Sequence, residues 1–167
     1  IIAEHEQECR LKGKELVPFQ SQQMERKREA LKQVKYAIDC LHDVLEYSYK
    51  YWEMNFAKSF ANPIDLQNEI DDHYFMYAEE LIYISKYFER RDKLCEALNQ
   101  HSLVLGRTIV ELLNEYIHLT TFQFYDDNIG MANNYWSSFF NMISNNMDNL
   151  RKTKKEIDDM LYSMYSV

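Results

Sequence analysis

Glycine and proline are scarce in this chain. Its 167 residues include three Gly and two Pro, whereas average usage is roughly 7% and 5%. Tight turns and hairpins depend on these two residue types, so few turns are expected. A chain of this length can bury a core of its own. We therefore expect a single domain built from long helices.

Cysteine is also rare, and its spacing argues against a secreted protein held by disulfides. Cys9, Cys40 and Cys95 are odd in number and form no CxxC pair, which fits a reducing compartment. The chain also lacks the ~18 consecutive apolar residues of a transmembrane span. It starts at Ile1 rather than at Met. Upstream residues are therefore expected, and a membrane anchor and a trimmed linker are both open alternatives.

Basic residues are fewer than acidic ones. The chain has 19 Lys and Arg and 27 Asp and Glu, which gives a net charge of -8. Contact with phosphates requires an excess of Lys and Arg, so nucleic acid is not an expected partner. The chain also lacks a glycine-rich phosphate-binding loop and any compact grouping of Ser, His and Asp. The sequence therefore predicts no catalytic residues and no cofactor.

The apolar residues recur with helical spacing. Five of them are seven residues apart, as in a coiled coil: Met24, Leu31, Ile38, Leu45 and Trp52. This stripe predicts one helix over about residues 20–61. Asn62-Pro63 should end it and begin the next helix, because Asn is a favoured cap and Pro is tolerated at the first helical position.

A second apolar stripe runs from Ile70 through Phe88 and Cys95 to Leu119 with little change of phase. One helix of that length would exceed what a domain needs, so a break is expected near Arg91-Asp92 or within 99–102. Residues 126–130 predict a turn, and a last helix should extend to about 164. The predicted fold is all-α, an antiparallel up-down-up-down bundle of about four long helices. The bundle should cover 20–167, after a polar lead-in at 1–19 that is a candidate juxtamembrane segment.

Two stretches have the carboxylate-x-x-His spacing of helical di-iron proteins: Asp39-Cys40-Leu41-His42 and Glu115-Tyr116-Ile117-His118. Their orientation argues against a shared site. At about 100° per residue, Asp39, Glu115 and His118 lie away from the apolar stripes, and His42 lies on the flank of its stripe. The sequence therefore predicts charged faces turned towards solvent and no metal site.

Charge is distributed unevenly along the predicted bundle. If the helices alternate in direction, 1–35, 86–107 and 151–167 share one end, the base, and 36–85 with 108–150 form the other, the tip. The base has seventeen Lys and Arg against twelve acids, a net of +5, and the tip has two against fifteen, a net of -13. Helix-dipole complementarity explains part of this. The alternative is an anionic surface bound by nine residues of the base: Arg26, Lys27, Arg28, Arg90, Arg91, Arg151, Lys152, Lys154 and Lys155.

Aromatic residues are concentrated at the tip. Neighbours such as Tyr47, Tyr49, Tyr51 and Trp52 cannot all face one core, so some are expected at the surface. Tyr and Trp are favoured at interfaces because they combine an apolar body with a polar group. A protein partner or a second copy of the chain could bind six of them: Tyr47, Tyr49, Tyr51, Trp52, Tyr135 and Trp136. The alternative is a Tyr-rich but ordinary end of the bundle.

These features favour a non-enzymatic interaction domain. We expect it to be cytoplasmic and tethered at the inner face of a membrane through its N-terminus, since basic residues beside an anchor are favoured there and attract anionic lipid. The basic end then faces an anionic surface, and the acidic aromatic end faces a protein partner. Two alternatives are a sensor bundle that binds a small ligand near the aromatic tip and an enzyme or nuclease of unrecognised family.

Overall fold

The structure is a computed structural model that describes residues 2–124 and 134–166, with side chains from residue 19 onward. Within these ranges every regular element is an α-helix, which confirms the all-α class. Six helices are present instead of about four: α1 (Ile2–Asn55), α2 (Pro63–Asp72), α3 (Tyr74–Ser85), α4 (Tyr87–Leu105), α5 (Arg107–Leu119) and α6 (Tyr135–Ser166). The turn predicted at 126–130 lies outside the described residues.

Helix α1 is 54 residues long and begins well before the predicted start at residue 20. Residues 2–17 include four Glu, two Lys and two Leu, which have high helix propensity. The helix also ends earlier than predicted, at Asn55. There the chain turns and places the ring of Phe56 in the core. The lead-in at 1–19 is therefore helical from residue 2.

The start of α2 confirms the prediction made from Asn62-Pro63. The Asn62 side-chain oxygen accepts a hydrogen bond from the Ile64 N–H at 2.9 Å, and Pro63 is the first helical residue. This arrangement satisfies one of the backbone donors that a helix start leaves open. The boundary could be predicted because all of its determinants lie within three residues.

The predicted break between the second and third helices was wrong. Arg91-Asp92 and residues 99–102 all lie inside the continuous helix α4. The breaks occur instead at His73, Lys86 and Gly106. Gly106 has φ 84° and ψ 166°, a backbone conformation that is essentially restricted to glycine. The direction of the chain therefore changes at a residue whose lack of a side chain permits it.

The core contains most of the predicted stripe residues, including Ile38, Leu45 and Ile143, which are fully buried. At two places on α4, the buried residue lies one position earlier in the chain than predicted. Phe88 is exposed and Tyr87 is buried in its place, while Leu94 is buried where Cys95 was expected. The break at Lys86 shifts the phase of the helix and so changes which residues face inward.

In the contacts between α1 and the helices packed on it, residue numbers rise along one helix as they fall along the other. Lys35 pairs with Asp158 and Glu46 pairs with Arg151, so residue numbers rise along α1 as they fall along α6. The same relation holds between α1 and the pair α3–α4, through contacts of Tyr47 with Tyr83 and of Gln33 with His101.

Candidate functional site

The base of the molecule is dominated by α1, which extends beyond its neighbours. Among its side chains from residue 19 onward, the first buried one is Ala30, and residues 19–26 are all exposed. At 1.5 Å per residue, the helix from Ile2 to Ala30 is roughly 40 Å long. Met24, predicted to lie in the core, is exposed because it lies in this extension. Helix α6 ends near the same level, where Leu161 and Tyr165 line an apolar groove beside Leu31.

Five of the nine cations predicted to bind an anionic surface are engaged within the protein. Two lie on α4. The Arg90 guanidinium donates to the Cys40 carbonyl at 2.8 Å, and Arg91 donates to the hydroxyls of Thr120 and Thr121 at 3.2 and 2.8 Å. These bonds connect α4 to α1 and to the end of α5. They reduce the capacity of both guanidinium groups to bind a ligand.

The other three engaged cations lie on α6. Arg151 donates two hydrogen bonds, from its Nε and Nη2 atoms, to the Glu46 carboxylate at 2.8 and 2.9 Å. Lys154 pairs with Asp39 at 2.8 Å and with Asp158, and Lys155 pairs with Asp159 at 3.0 Å. Arg151 and Lys154 therefore connect α6 to α1.

The remaining four cations, Arg26, Lys27, Arg28 and Lys152, form no hydrogen bond or ion pair with any residue that the structure describes. They do not converge. Lys152 follows Arg151, which lies beside Glu46, and Glu46 is about 30 Å along α1 from Arg26. Arg90, beside Cys40, lies about 20 Å from Arg26 by the same measure. Among the predicted anion-binding residues, only 26–28 form a compact basic group on the extension.

Asp39, Lys154, Asp158 and Lys35 form a closed ring of alternating charge between α1 and α6. Lys154 contacts both carboxylates from one side, and Lys35 contacts both from the other at 2.9 Å. Burial alone would raise the pKa of Asp39, but hydrogen bonds from Lys154 and Lys35 outweigh it and lower that pKa. The ring contains four ion pairs, and two of them connect α1 to α6.

His42 corrects the prediction that the carboxylate-x-x-His stretches face solvent. Its side chain is only 14% exposed. The Nδ1 atom lies 2.8 Å from the hydroxyl of the buried Tyr116, and Nε2 lies 3.3 Å from Glu46. Burial lowers the pKa of His42, against the opposing attraction of Glu46. Glu115 and His118 do lie at the surface. Within the described ranges, no group of three or more His, Cys, Asp and Glu is placed to hold a metal ion.

Most of the tip's aromatic residues pack against one another. Phe56 contacts Tyr51, Tyr77 and Phe140, with ring centroids 5.3–5.6 Å apart. Phe139 contacts Tyr87, Phe122 and Trp136, with centroids 5.2–6.2 Å apart. Of the six residues predicted to bind a partner, five are half-buried: Tyr49, Tyr51, Trp52, Tyr135 and Trp136. Tyr47 is the exposed one.

No protein-family model matches the chain, and neither a curated protein nor a solved structure matches it either. No helix in the described ranges is long and apolar enough to cross a membrane.

Two grooves bear on the ligand-binding alternative. The larger, about 490 Å³, lies between α1 and α4 over the small side chains Ala37, Cys40 and Ala97. It lies away from the aromatic tip. A groove at the tip, about 190 Å³, is bordered by polar residues of α2 and α6, among them Gln67 and Ser137. The aromatic rings fill space between helices and do not line this groove, so the geometry does not favour a ligand sensor at the tip.

Sequence reasoning missed the exposed apolar surface of α3. Phe75, Met76 and Ile82 are all more than half exposed. The signal was present in the sequence, because the stretch from Tyr74 to Ser85 contains only two charged residues, Glu79 and Glu80. A short helix with apolar residues on every side cannot bury all of them against two neighbours.

Proposed function

We propose that this chain is a non-enzymatic interaction bundle whose basic end binds an anionic membrane surface and whose acidic end binds a protein partner. The proposal includes the antiparallel up-down-up-down arrangement, with α3 and α4 returning along α1 as one rod. The opposite residue orders of the helix contacts support it. It also includes a cytoplasmic location with a tether at the membrane, because basic residues beside an anchor are favoured on that side.

The exposed basic group at 26–28 is the observation that supports the membrane part of the proposal. Arg26 and Arg28 are exposed and Lys27 is half-buried, and none of the three forms an ion pair with a described residue. Basic residues near an anionic lipid surface contribute about 1 kcal/mol each. Cations already paired with carboxylates, such as Arg151, would contribute less because they would have to exchange one partner for another.

Co-sedimentation with lipid vesicles tests this assignment. Wild-type protein should bind vesicles that contain phosphatidylserine and should bind neutral phosphatidylcholine vesicles weakly. The triple substitution Arg26→Gln, Lys27→Gln, Arg28→Gln should weaken binding to the anionic vesicles roughly a hundredfold. Added salt should weaken wild-type binding too, because exposed charges are screened.

The matched control changes the same number of charges elsewhere. Lys50, Lys58 and Lys86 are exposed, and none of them forms an ion pair in the described part of the chain. Replacing all three by Gln should leave vesicle binding within about twofold of wild type, an effect that net charge alone would not predict. The proposal would be rejected if both triple variants lost vesicle affinity equally. It would also be rejected if wild type bound anionic and neutral vesicles equally well.

A further inference from the structure

Helix α3 presents an exposed apolar surface at the tip. Phe75 is 79% exposed, Met76 58% and Ile82 60%. Helix α3 packs mainly on α1 and α2, and it buries Leu81 and Ile84 there. Exposed apolar patches that are bordered by polar residues commonly mark binding surfaces.

These residues form two adjacent rows. Phe75, Glu79 and Ile82 are four and three residues apart, so their side chains lie along one face of α3. Met76 and Glu80 form the neighbouring row, which continues to Tyr83. The Tyr83 ring meets Tyr47 of α1 edge-on, with centroids 4.8 Å apart. We define the α3 patch as six residues: Tyr47, Phe75, Met76, Glu79, Glu80 and Ile82.

The α3 patch contains two carboxylates, those of Glu79 and Glu80. Glu79 and Glu80 form no ion pair with any residue in the described ranges. The nearby cations Lys86 and Arg90 lie instead over the Tyr83 ring, at 5.5 and 5.4 Å from its centroid. The patch thus combines apolar side chains with two acids that can accept bonds from a ligand.

Charge distinguishes among the molecules that could cover this surface. In a symmetric dimer formed through the patch, each copy would present the same acids to its partner, and like charges across an interface are unfavourable. An anionic membrane would repel Glu79 and Glu80 for the same reason. A protein segment with both apolar and basic residues matches the apolar side chains and the acids together.

We propose that the α3 patch binds an amphipathic helix of another protein that carries Lys or Arg beside its apolar face. This inference rests on the proposed function and specifies the chemistry of its protein partner. Helix α3 has 12 residues and is about 18 Å long, which matches about three turns of a bound helix. Met76 can adapt to the side chains of such a helix because methionine is flexible and unbranched.

Two synthetic 18-residue peptides test the proposal against the full 167-residue chain. Both carry the same stripe of Leu on one face, and the flanking positions are Lys in one and Glu in the other. We expect fluorescence anisotropy to show binding of the Lys peptide at least tenfold tighter than binding of the Glu peptide. Equal affinities would overturn the inference.

Substitutions then locate the site. Phe75→Ser with Ile82→Ser should weaken binding of the Lys peptide at least tenfold. Glu79→Lys with Glu80→Lys should reverse the preference, so that the Glu peptide binds more tightly. A reversed preference cannot result from unfolding, so this variant keeps the test decisive even if the first variant is unstable.

Matched controls lie outside the patch. Leu103→Ser with Val104→Ser changes two exposed apolar residues of α4, and Glu115→Lys with Glu156→Lys changes two exposed acids. Both should bind the Lys peptide as wild type does. Losses equal to those of the patch variants would overturn the assignment of the site.

Two further measurements, of vesicle binding and of self-association, test whether a membrane or a second copy of the chain covers the α3 patch instead. They also distinguish a failure of this inference from a failure of the proposed function. Phe75→Ser with Ile82→Ser should bind anionic vesicles as wild type does, and analytical ultracentrifugation of wild type should show a monomer. Vesicle binding that requires Phe75 and Ile82, or a dimer that those substitutions dissociate, would overturn the inference. If wild type prefers the Lys peptide but does not bind anionic vesicles, the result would support the α3 patch as a binding site. The same result would contradict the membrane part of the proposed function.

Discussion

Nδ1 of His42 lies 2.8 Å from the hydroxyl of Tyr116, so a half-buried titratable ring on α1 is hydrogen-bonded to a fully buried ring on α5. Nε2 of the same ring lies 3.3 Å from the Glu46 carboxylate. Glu46 in turn accepts the two hydrogen bonds from Arg151. The contact therefore links the core to the ion pair between α1 and α6.

We predict that stability falls in mildly acidic solution because of His42. Burial lowers its pKa in the folded protein, so below about 6.5 the unfolded chain binds a proton that the folded chain binds less readily. The free energy of unfolding therefore decreases as the pH falls through that range. Urea unfolding at pH 7.5 and 5.5 measures the difference, which His42→Gln should reduce. His118→Gln, at an exposed position of α5, should retain the wild-type difference, and an identical pH response in both variants would contradict the prediction.

Gly106→Ala should destabilise the protein by about 1–3 kcal/mol. The backbone there has φ 84° and ψ 166°, a conformation that residues with a side chain adopt only with strain of that order. An added Cβ would meet no atom within 4 Å, so the loss would come from the backbone alone. Urea unfolding measures it. Thr108→Ala, two residues later and exposed, should change stability by less than about 0.5 kcal/mol. A variant as stable as wild type would show that this conformation is not adopted in solution.

Gln67→Met should destabilise the contact between α2 and α6. The buried Gln67 accepts a hydrogen bond from the Ser137 N–H at 2.9 Å and donates one to Asp71 at 2.9 Å. Met keeps most of the volume but leaves the buried N–H unsatisfied, at a cost of about 1–3 kcal/mol. Thermal unfolding should show a melting temperature lower by several degrees. The exposed residue Gln100 provides the control, because Gln100→Met should leave the melting temperature nearly unchanged.

Phe56→Ala should distinguish an aromatic core from an aromatic surface. The Phe56 ring is buried and contacts four other aromatic rings, and removing such a ring typically costs about 3–5 kcal/mol. Tyr47→Ala, at an exposed ring of the α3 patch, should cost less than Phe56→Ala. Chemical denaturation of both variants gives the comparison. Similar losses would mean that the tip is not organised around Phe56.

The all-α class could be predicted from the sequence because its determinants are local. Scarce glycine and the spacing of Leu31, Ile38 and Leu45 suffice for it, and Asn62-Pro63 marks a helix start with residues that touch one another. The breaks at His73 and Lys86 could not be predicted in this way, because neither residue is a glycine or a proline. Their positions depend on which side chains of α3 and α4 the other helices can bury.

The candidate site was harder to predict because pairing across helices is not visible in a sequence. From the sequence alone, Arg151 and Lys154 are expected to be unpaired cations. In the structure they pair with Glu46 and Asp39, which lie on α1. His42 lies at the edge of the apolar stripe, and only the position of Tyr116 on another helix makes it an internal residue. The basic group at 26–28 was recognised because it depends on three consecutive residues alone.

A single uninterrupted helix joins the basic group to the α3 patch. From Arg26 to Tyr47, α1 rises about 31 Å at 1.5 Å per residue, and each residue turns the helix by about 100°. The buried side chains between them, such as Leu31 and Leu41, fix how that helix is rotated against its neighbours. The distance and the angle between a bound membrane and a bound partner would therefore be constants of the molecule, determined by the number of residues in between.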